Sequence, residues 1–155
     1  LVNLGILDKP YNFLTQPFAA KIVIILALLW RWTGYNMVFF LSGLQNIEYS
    51  VYEAAKIDGA SAIQTFFKIT VPLLKPTILL TAIMSTNGTL QLFDESINLT
   101  DGGPANASIS MSHYIYNLCF KYVPNFGYAA AMSFFILLLV AVLAFIQMRV
   151  GDKRD

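Results

Sequence analysis

Residues Ala129 to Ile146 form an apolar run of eighteen positions that only Ser133 interrupts. At the rise of an α-helix such a run extends about 27 Å, close to the ~30 Å hydrocarbon core of a bilayer. It is too long for an ordinary strand and no turn residue divides it, so it reads as a membrane helix. The rest of the chain agrees. Of its 155 residues 57% are hydrophobic and 12% charged, where a soluble domain would carry about 25% charge. The expected class is therefore all-α, a polytopic set of membrane helices. The net charge of +1 gives no basic stripe, which argues against a nucleic-acid partner. One cysteine, Cys119, and one histidine, His113, make neither a disulfide framework nor a multi-ligand metal site, and no metal is expected. His113 has no evident partner and reads as a solvated loop residue. The opening Leu1 to Thr15 lacks the charged start and apolar core of a secretory signal, and the chain reads as part of a longer one.

Three spans are expected, at about 22–44, 71–93 and 127–147. The first is compromised by Arg31, Thr33, Gly34 and Asn36, and the second by Ser85, Thr86, Asn87, Gly88, Thr89 and Gln91. Polar groups inside lipid must face protein or water, so both spans are expected to have a non-lipid side. An unpaired Arg31 would cost at least about 2.5 kcal/mol there, so it is expected to face protein or a wet cavity. Trp30 and Trp32 read as packing or interface anchors. Lys56, Lys68 and Lys75 follow the first span and Arg149, Lys153 and Arg154 follow the third, whereas the second connection carries Lys121 beside Asp94, Glu95 and Asp101. Basic residues accumulate on the cytoplasmic side. Loop 49–72 and the C-terminus are thus expected inside, and loop 94–126 and the N-terminal segment outside.

The inner loop is the informative part. Glu53-Ala54-Ala55-Lys56-Ile57-Asp58-Gly59-Ala60-Ser61 predicts a short helix, a break at Gly59, where glycine allows the chain to turn, and a second helix stopped by Pro72. Ala54 and Ala55 give the first helix a smooth face, with Glu53 and Asp58 as charged ends. By chemistry alone an amphipathic helix lying on lipid remains open.

The string Glu53 to Ala60, with Ile69 and Pro72 at their spacing and Leu99-Thr100-Asp101-Gly102-Gly103-Pro104 in the outer loop, resembles the permease subunits of bacterial ABC importers, in particular the carbohydrate branch and its larger maltose-type permease. The resemblance covers essentially the whole chain, 1–155, as the C-terminal part of one transmembrane permease domain with a cytoplasmic coupling helix. It implies that Glu53, Ala54, Ala55, Asp58, Gly59 and Ala60 dock on a dimer of cytoplasmic ATPase subunits, and that the chain itself is no enzyme and holds no cofactor. ATP and magnesium belong to that partner, and no phosphate-binding glycine loop occurs here. Further implied partners are a second permease subunit, an extracytoplasmic sugar-binding protein, membrane lipid and a carbohydrate substrate.

In the second span Ser85, Gly88, Thr89 and Leu92 share one helical face. Two hydroxyls beside a glycine offer hydrogen bonds and room for a sugar ring. The resemblance puts Tyr35 on the same path, and Asn87 and Gln91 lie on the adjacent face. Helix packing by small polar residues is the competing reading for this set. A permease for another solute, such as a glycerol phosphate or polyol, and a non-transporting membrane scaffold are the competing functions.

Overall fold

The computed structural model describes residues 12–151. The readings placed on Lys153, Arg154 and most of the N-terminal segment lie outside them. Among the described residues every regular element is helical: after a 3-10 turn at Phe13–Thr15 come α1 (Pro17–Gln45), α2 (Tyr49–Ile57), α3 (Ala62–Thr65), α4 (Val71–Leu73), α5 (Lys75–Leu90), α6 (Met111–Tyr116) and α7 (Phe126–Gly151). Single π-turns at Phe66–Thr70, Ser96–Thr100 and Asn117–Lys121 widen the chain between them. The all-α class stands.

Two of these helices, α1 and α7, are long and apolar enough to cross a membrane by themselves. Both carry large apolar side chains that the chain leaves uncovered, among them Leu26, Leu29, Val38, Phe134, Leu138 and Phe145, as a lipid-facing surface requires. A third crossing is made only if Ala62–Leu73 and Lys75–Leu90 count as one bent span, with 63° between them.

That bend corrects the expectation that Pro72 stops the second helix. The helical path runs through Pro72 to Leu73, and the break comes at Leu74. Proline normally clashes with the carbonyl four residues back. Here Pro72 directly follows a π-turn, in which the Val71 N–H reaches the Phe66 carbonyl, so its missing N–H falls where the i−4 pattern is already interrupted. Pro76 has no such relief. Its missing N–H leaves the Pro72 carbonyl without the usual i−4 partner, and the chain kinks there.

The chain divides into two compact units, Leu1–Trp30 with Thr89–Leu137, and Arg31–Gly88 with Leu138–Asp155. In the second, α1 meets α5 by close approach at glycine. A Cβ on Gly43 would lie 2.9 Å from both Leu74 Cδ2 and Thr77 Oγ1, so no larger residue fits without movement. The end of α7 joins the same unit through Gly151 against Leu79 and through Gln147 Nε2, which donates to Thr86 Oγ1 at 2.8 Å. Interhelical bonds of this kind hold helices together where water gives no hydrophobic drive. The first unit is built around the connection from Phe93 to Tyr122, whose buried side chains are mostly polar: Ser96, His113 and Asn117 beside Leu118.

Candidate functional site

The motif Glu53 to Ala60 forms an elbow closed at both ends by its own backbone. Helix α2 ends at Ile57, and Gly59 adopts φ +73°, the left-handed conformation. The Gly59 N–H donates to the Lys56 carbonyl at 3.2 Å and the Ala60 N–H to the Ala55 carbonyl at 3.0 Å. This pair of bonds is the Schellman cap, in which glycine is favoured because a Cβ is penalised. Nothing lies within 4 Å of where a Gly59 Cβ would be, so conformation, not space, selects the residue. Ser61 then opens α3 at once: its hydroxyl accepts from the Gln64 N–H and the Gln64 side chain accepts from the Ser61 N–H, a capping box. Tyr52 Oη and Thr70 Oγ1, 3.3 Å apart, tie α2 to the π-turn beyond. Tyr52, Lys56, Ala60, Thr65, Phe66 and Thr70 line a groove of about 440 Å³ under the elbow.

The expected smooth face of the helix needs one correction. Ala55 is 6% exposed and packs into the chain itself, while Ala54 points out with Glu53 and Asp58. Neighbouring positions on a helix are about 100° apart, so two consecutive alanines cannot share one face fully. What α2 presents outward is Glu53, Ala54, Asp58 and an apolar tip, Ile57, which is 85% exposed.

On the second span the structure separates the sugar-path residues. Ser85 donates to Asn36 Oδ1 at 3.2 Å, so its hydroxyl bridges α5 to α1. Gly88 does not leave open room: the Trp32 indole occupies it, with Cζ2 closest and Cη2 2.7 Å from the position of an added Cβ. This overturns the expectation of space for a sugar ring at Gly88. The benzo edge of that ring takes the space a side chain on Gly88 would need. Trp32 Nε1 is buried with no acceptor among the described residues. Its ring also lies 5.6 Å from the Arg31 guanidinium and 6.0 Å from the Tyr35 ring, a cation–π contact and an aromatic pair. Tyr35 remains open at 61% exposure. Asn87 is half-buried in this unit, and Thr89 and Gln91, both exposed, open the other one. Trp30, at 86% exposure, fits an interface anchor.

Sequence reasoning missed a buried polar cluster in the first unit. Helix-like bonds end at Asp101, φ +46°, and Gly102, φ +79°, with the Gly102 N–H donating back to the Ser96 carbonyl at 3.1 Å. His113 is not solvated but wholly buried. Its Nδ1 is 2.8 Å from Ser96 Oγ, which donates to the Ser108 carbonyl at 2.8 Å and accepts from the Ser110 N–H at 3.3 Å. Ser108 Oγ donates to the Gly103 carbonyl and lies 2.7 Å from Thr100 Oγ1. Gly102 sits against the imidazole, with Cε1 3.4 Å from an added Cβ. At the rim Lys121 Nζ donates to both Asp101 oxygens at 2.9 and 3.0 Å. The Lys121 hydrogen bond, then its charge, holds the Asp101 carboxyl below its ordinary value, and the same hydrogen bond raises Lys121. Burial lowers His113, with Asp101 opposing.

Among the described residues no group of three or more His, Cys, Asp or Glu side chains is placed to hold a metal ion.

Comparison with known proteins places these features in company. A family model described as the binding-protein-dependent transport system inner membrane component matches residues 2–154. The chain is 54% identical over 156 residues to the lactose transport system permease protein LacF of Rhizobium radiobacter, covering 99% of this chain and 52% of that protein. It is 37% identical over 146 residues to the trehalose/maltose transport system permease protein MalF of Thermococcus litoralis, covering 94% and 49%. A solved bacterial ABC transporter involved in the import of the acidic polysaccharide alginate superposes with a TM-score of 0.82 at 25% identity, over 99% of this chain and 54% of that one. The chain thus spans about half the length of the curated relatives it matches.

Proposed function

Because the chain belongs to the family of binding-protein-dependent transport system inner membrane components, we propose that it is the C-terminal part of the permease subunit of an ATP-driven sugar importer. In this reading it forms part of the translocation path and couples that path to a separate ATPase. The observation that carries the reading is the elbow at Gly59: a rigid, doubly capped turn that presents Glu53, Ala54, Ile57 and Asp58 outward. An amphipathic helix lying on lipid needs no such fixed turn at its end, whereas a lever that passes a push from one protein to another does. The partner bearing the push is a dimer of cytoplasmic ATPase subunits with its ATP and magnesium.

Loop 49–72 and the C-terminus then lie in the cytoplasm and loop 94–126 outside, where an extracytoplasmic sugar-binding protein would dock. A second permease subunit completes the path, and lipid covers the open faces of α1 and α7. A sugar as cargo is supported by the substrates named for the relatives, lactose and trehalose or maltose, and by the groups near the path. Tyr35, Ser85, Asn87, Thr89 and Gln91 offer hydroxyls, amides and an aromatic face, and the Trp32 indole N–H seeks an acceptor. A phosphate-bearing solute would call for converging Arg or Lys, and within the expected spans the sequence offers only Arg31 and, at the edge of the second, Lys75.

Deletion of the full-length gene followed by uptake across a panel of labelled carbohydrates tests the reading. Loss of uptake for one sugar or a related group, restored by the intact gene but not by a Gly59→Pro variant at equal membrane level, is the expected result. Unchanged uptake across the panel, with polyols and glycerol phosphate included, would leave a scaffold role.

A further inference from the structure

The cluster around His113 contains one proton position that its surroundings leave open. Ser96 has a single hydroxyl proton, directed to the Ser108 carbonyl. The contact with His113 Nδ1 therefore requires the imidazole to donate. A neutral ring with its proton on Nδ1 has a bare Nε2, and that atom is buried with no hydrogen-bond partner among the described residues. The nearest charge to it is Asp101 Oδ1 at 3.7 Å, beyond hydrogen-bond reach and already held by Lys121. Phe93 flanks the ring edge-on at 6.0 Å and Gly102 closes its Cε1 side.

We propose that His113 is a proton-released latch: neutral, it pins the Asp101-to-Ser110 turn to α6 through Ser96, and a proton taken up at Nε2 loosens that turn. The physical reason is the full burial of the ring. A charge buried without full pairing is expelled or neutralised, and an imidazolium here would find Asp101 about 1 Å too far and occupied. The charged groups that act on the ring are Asp101 from the turn and Lys121 from its own helical segment, and they act in opposite directions. The net displacement of His113 is downward, with burial the largest cause. With the folded-state value depressed, the unfolded turn binds the proton more readily. Stability from the neutral ring is thus present above the unfolded value of about 6.5 and is lost as pH falls below it toward the folded value. The latch rests on this geometry alone; its exposure to the external medium rests on the orientation proposed above.

The test is a pH titration of the complete polypeptide in detergent, with labelled histidine followed by NMR and His113→Asn as the assignment control. Asparagine keeps a donor where Nδ1 stands and removes Nε2. The expected midpoint for His113 lies below 6.5. It should move up in Lys121→Met and down in Asp101→Asn, the latter chosen because asparagine tolerates the left-handed conformation of that residue. Hydrogen exchange of segment 96–110, corrected for intrinsic rate, should quicken several-fold as pH falls through the midpoint in the wild type and stay flat in His113→Asn. A midpoint at or above 6.5, one that ignores both charge variants, or exchange that is equally flat in wild type and His113→Asn, would overturn the latch. None of these readouts depends on transport, so failure here is separate from failure of the permease assignment.

Discussion

Substituting Gly88 by alanine should reveal the Trp32 contact through a change of sign. In a free helix interior alanine is more favourable than glycine by about 1 kcal/mol, so an unobstructed Gly88→Ala would stabilise α5. Here the new methyl meets the benzo edge of Trp32, with Cη2 at 2.7 Å and Cζ2 nearer still. Forcing a methyl into such a contact costs roughly 1–3 kcal/mol, and the net expectation is a loss of up to about 2 kcal/mol. Phenylalanine at position 32 lacks those outer ring carbons. In the Trp32→Phe background the same Gly88→Ala change should therefore be neutral or stabilising by up to about 1 kcal/mol. The assay is a double-mutant cycle on thermal midpoints of the purified full-length protein in detergent. At about 2–4 °C per kcal/mol for a chain of 150–250 residues, smaller for a longer one, the two backgrounds should differ by several degrees. If Gly88→Ala shifts the midpoint equally in both, within the ~0.5 kcal/mol expected of independent sites, the indole does not rest on Gly88. Space for a substrate would then return to consideration there.

Gly59→Asn should support uptake better than Gly59→Ala, since the left-handed backbone costs an ordinary residue about 1–2 kcal/mol. Gly59→Pro, which also deletes the N–H bonded to Lys56, should abolish coupling; equal uptake by all three would remove the turn from the mechanism. Thr89→Val, which trades a hydrogen bond worth roughly 0.5–1.5 kcal/mol, should raise the apparent transport constant several-fold with normal basal ATP turnover. An unchanged constant assigns Thr89 to packing. With the native Cys119, on the side proposed to be external, as the reference, a cysteine at Lys68 should resist a membrane-impermeant thiol reagent in intact cells; labelling from outside would invert the orientation.

What could be read from the sequence was what neighbours along the chain decide. The apolar run at 129–146 lies within a single helix, and Gly59 takes the left-handed turn because caps are local hydrogen-bonding problems solved within six residues. Ser61 and Gln64 belong to the same local grammar, though only the structure drew attention to them. The errors came from distance or phase. Trp32 and Gly88 sit on different helices, and no periodicity in either links them. His113 looked solvated because its partners, Ser96, Ser108 and Ser110, are small polar residues of the kind found in any exposed connection; only the fold brings them around one ring. Ala54 and Ala55 read as one smooth face only if the step between them is ignored, and one step along a helix turns a side chain by about 100°. Pro72 was read as a stop because a π-turn leaves no signature in residue type.

The elbow has no slack in its length. The last bond of α2 ends on the Ala60 N–H and the first of α3 begins on the Ser61 N–H, so every amide between the two helices is already committed. An added residue in a surface loop usually costs little. Here it would break one cap or the other and swing everything beyond it to a new angle about the axis of α2. Changes of residue type in this stretch should therefore be graded, each judged on its own chemistry, whereas a change of length by even one residue should be all-or-none. A one-alanine insertion between Gly59 and Ser61 is the smallest edit that alters the lever's direction while leaving its surface chemistry intact.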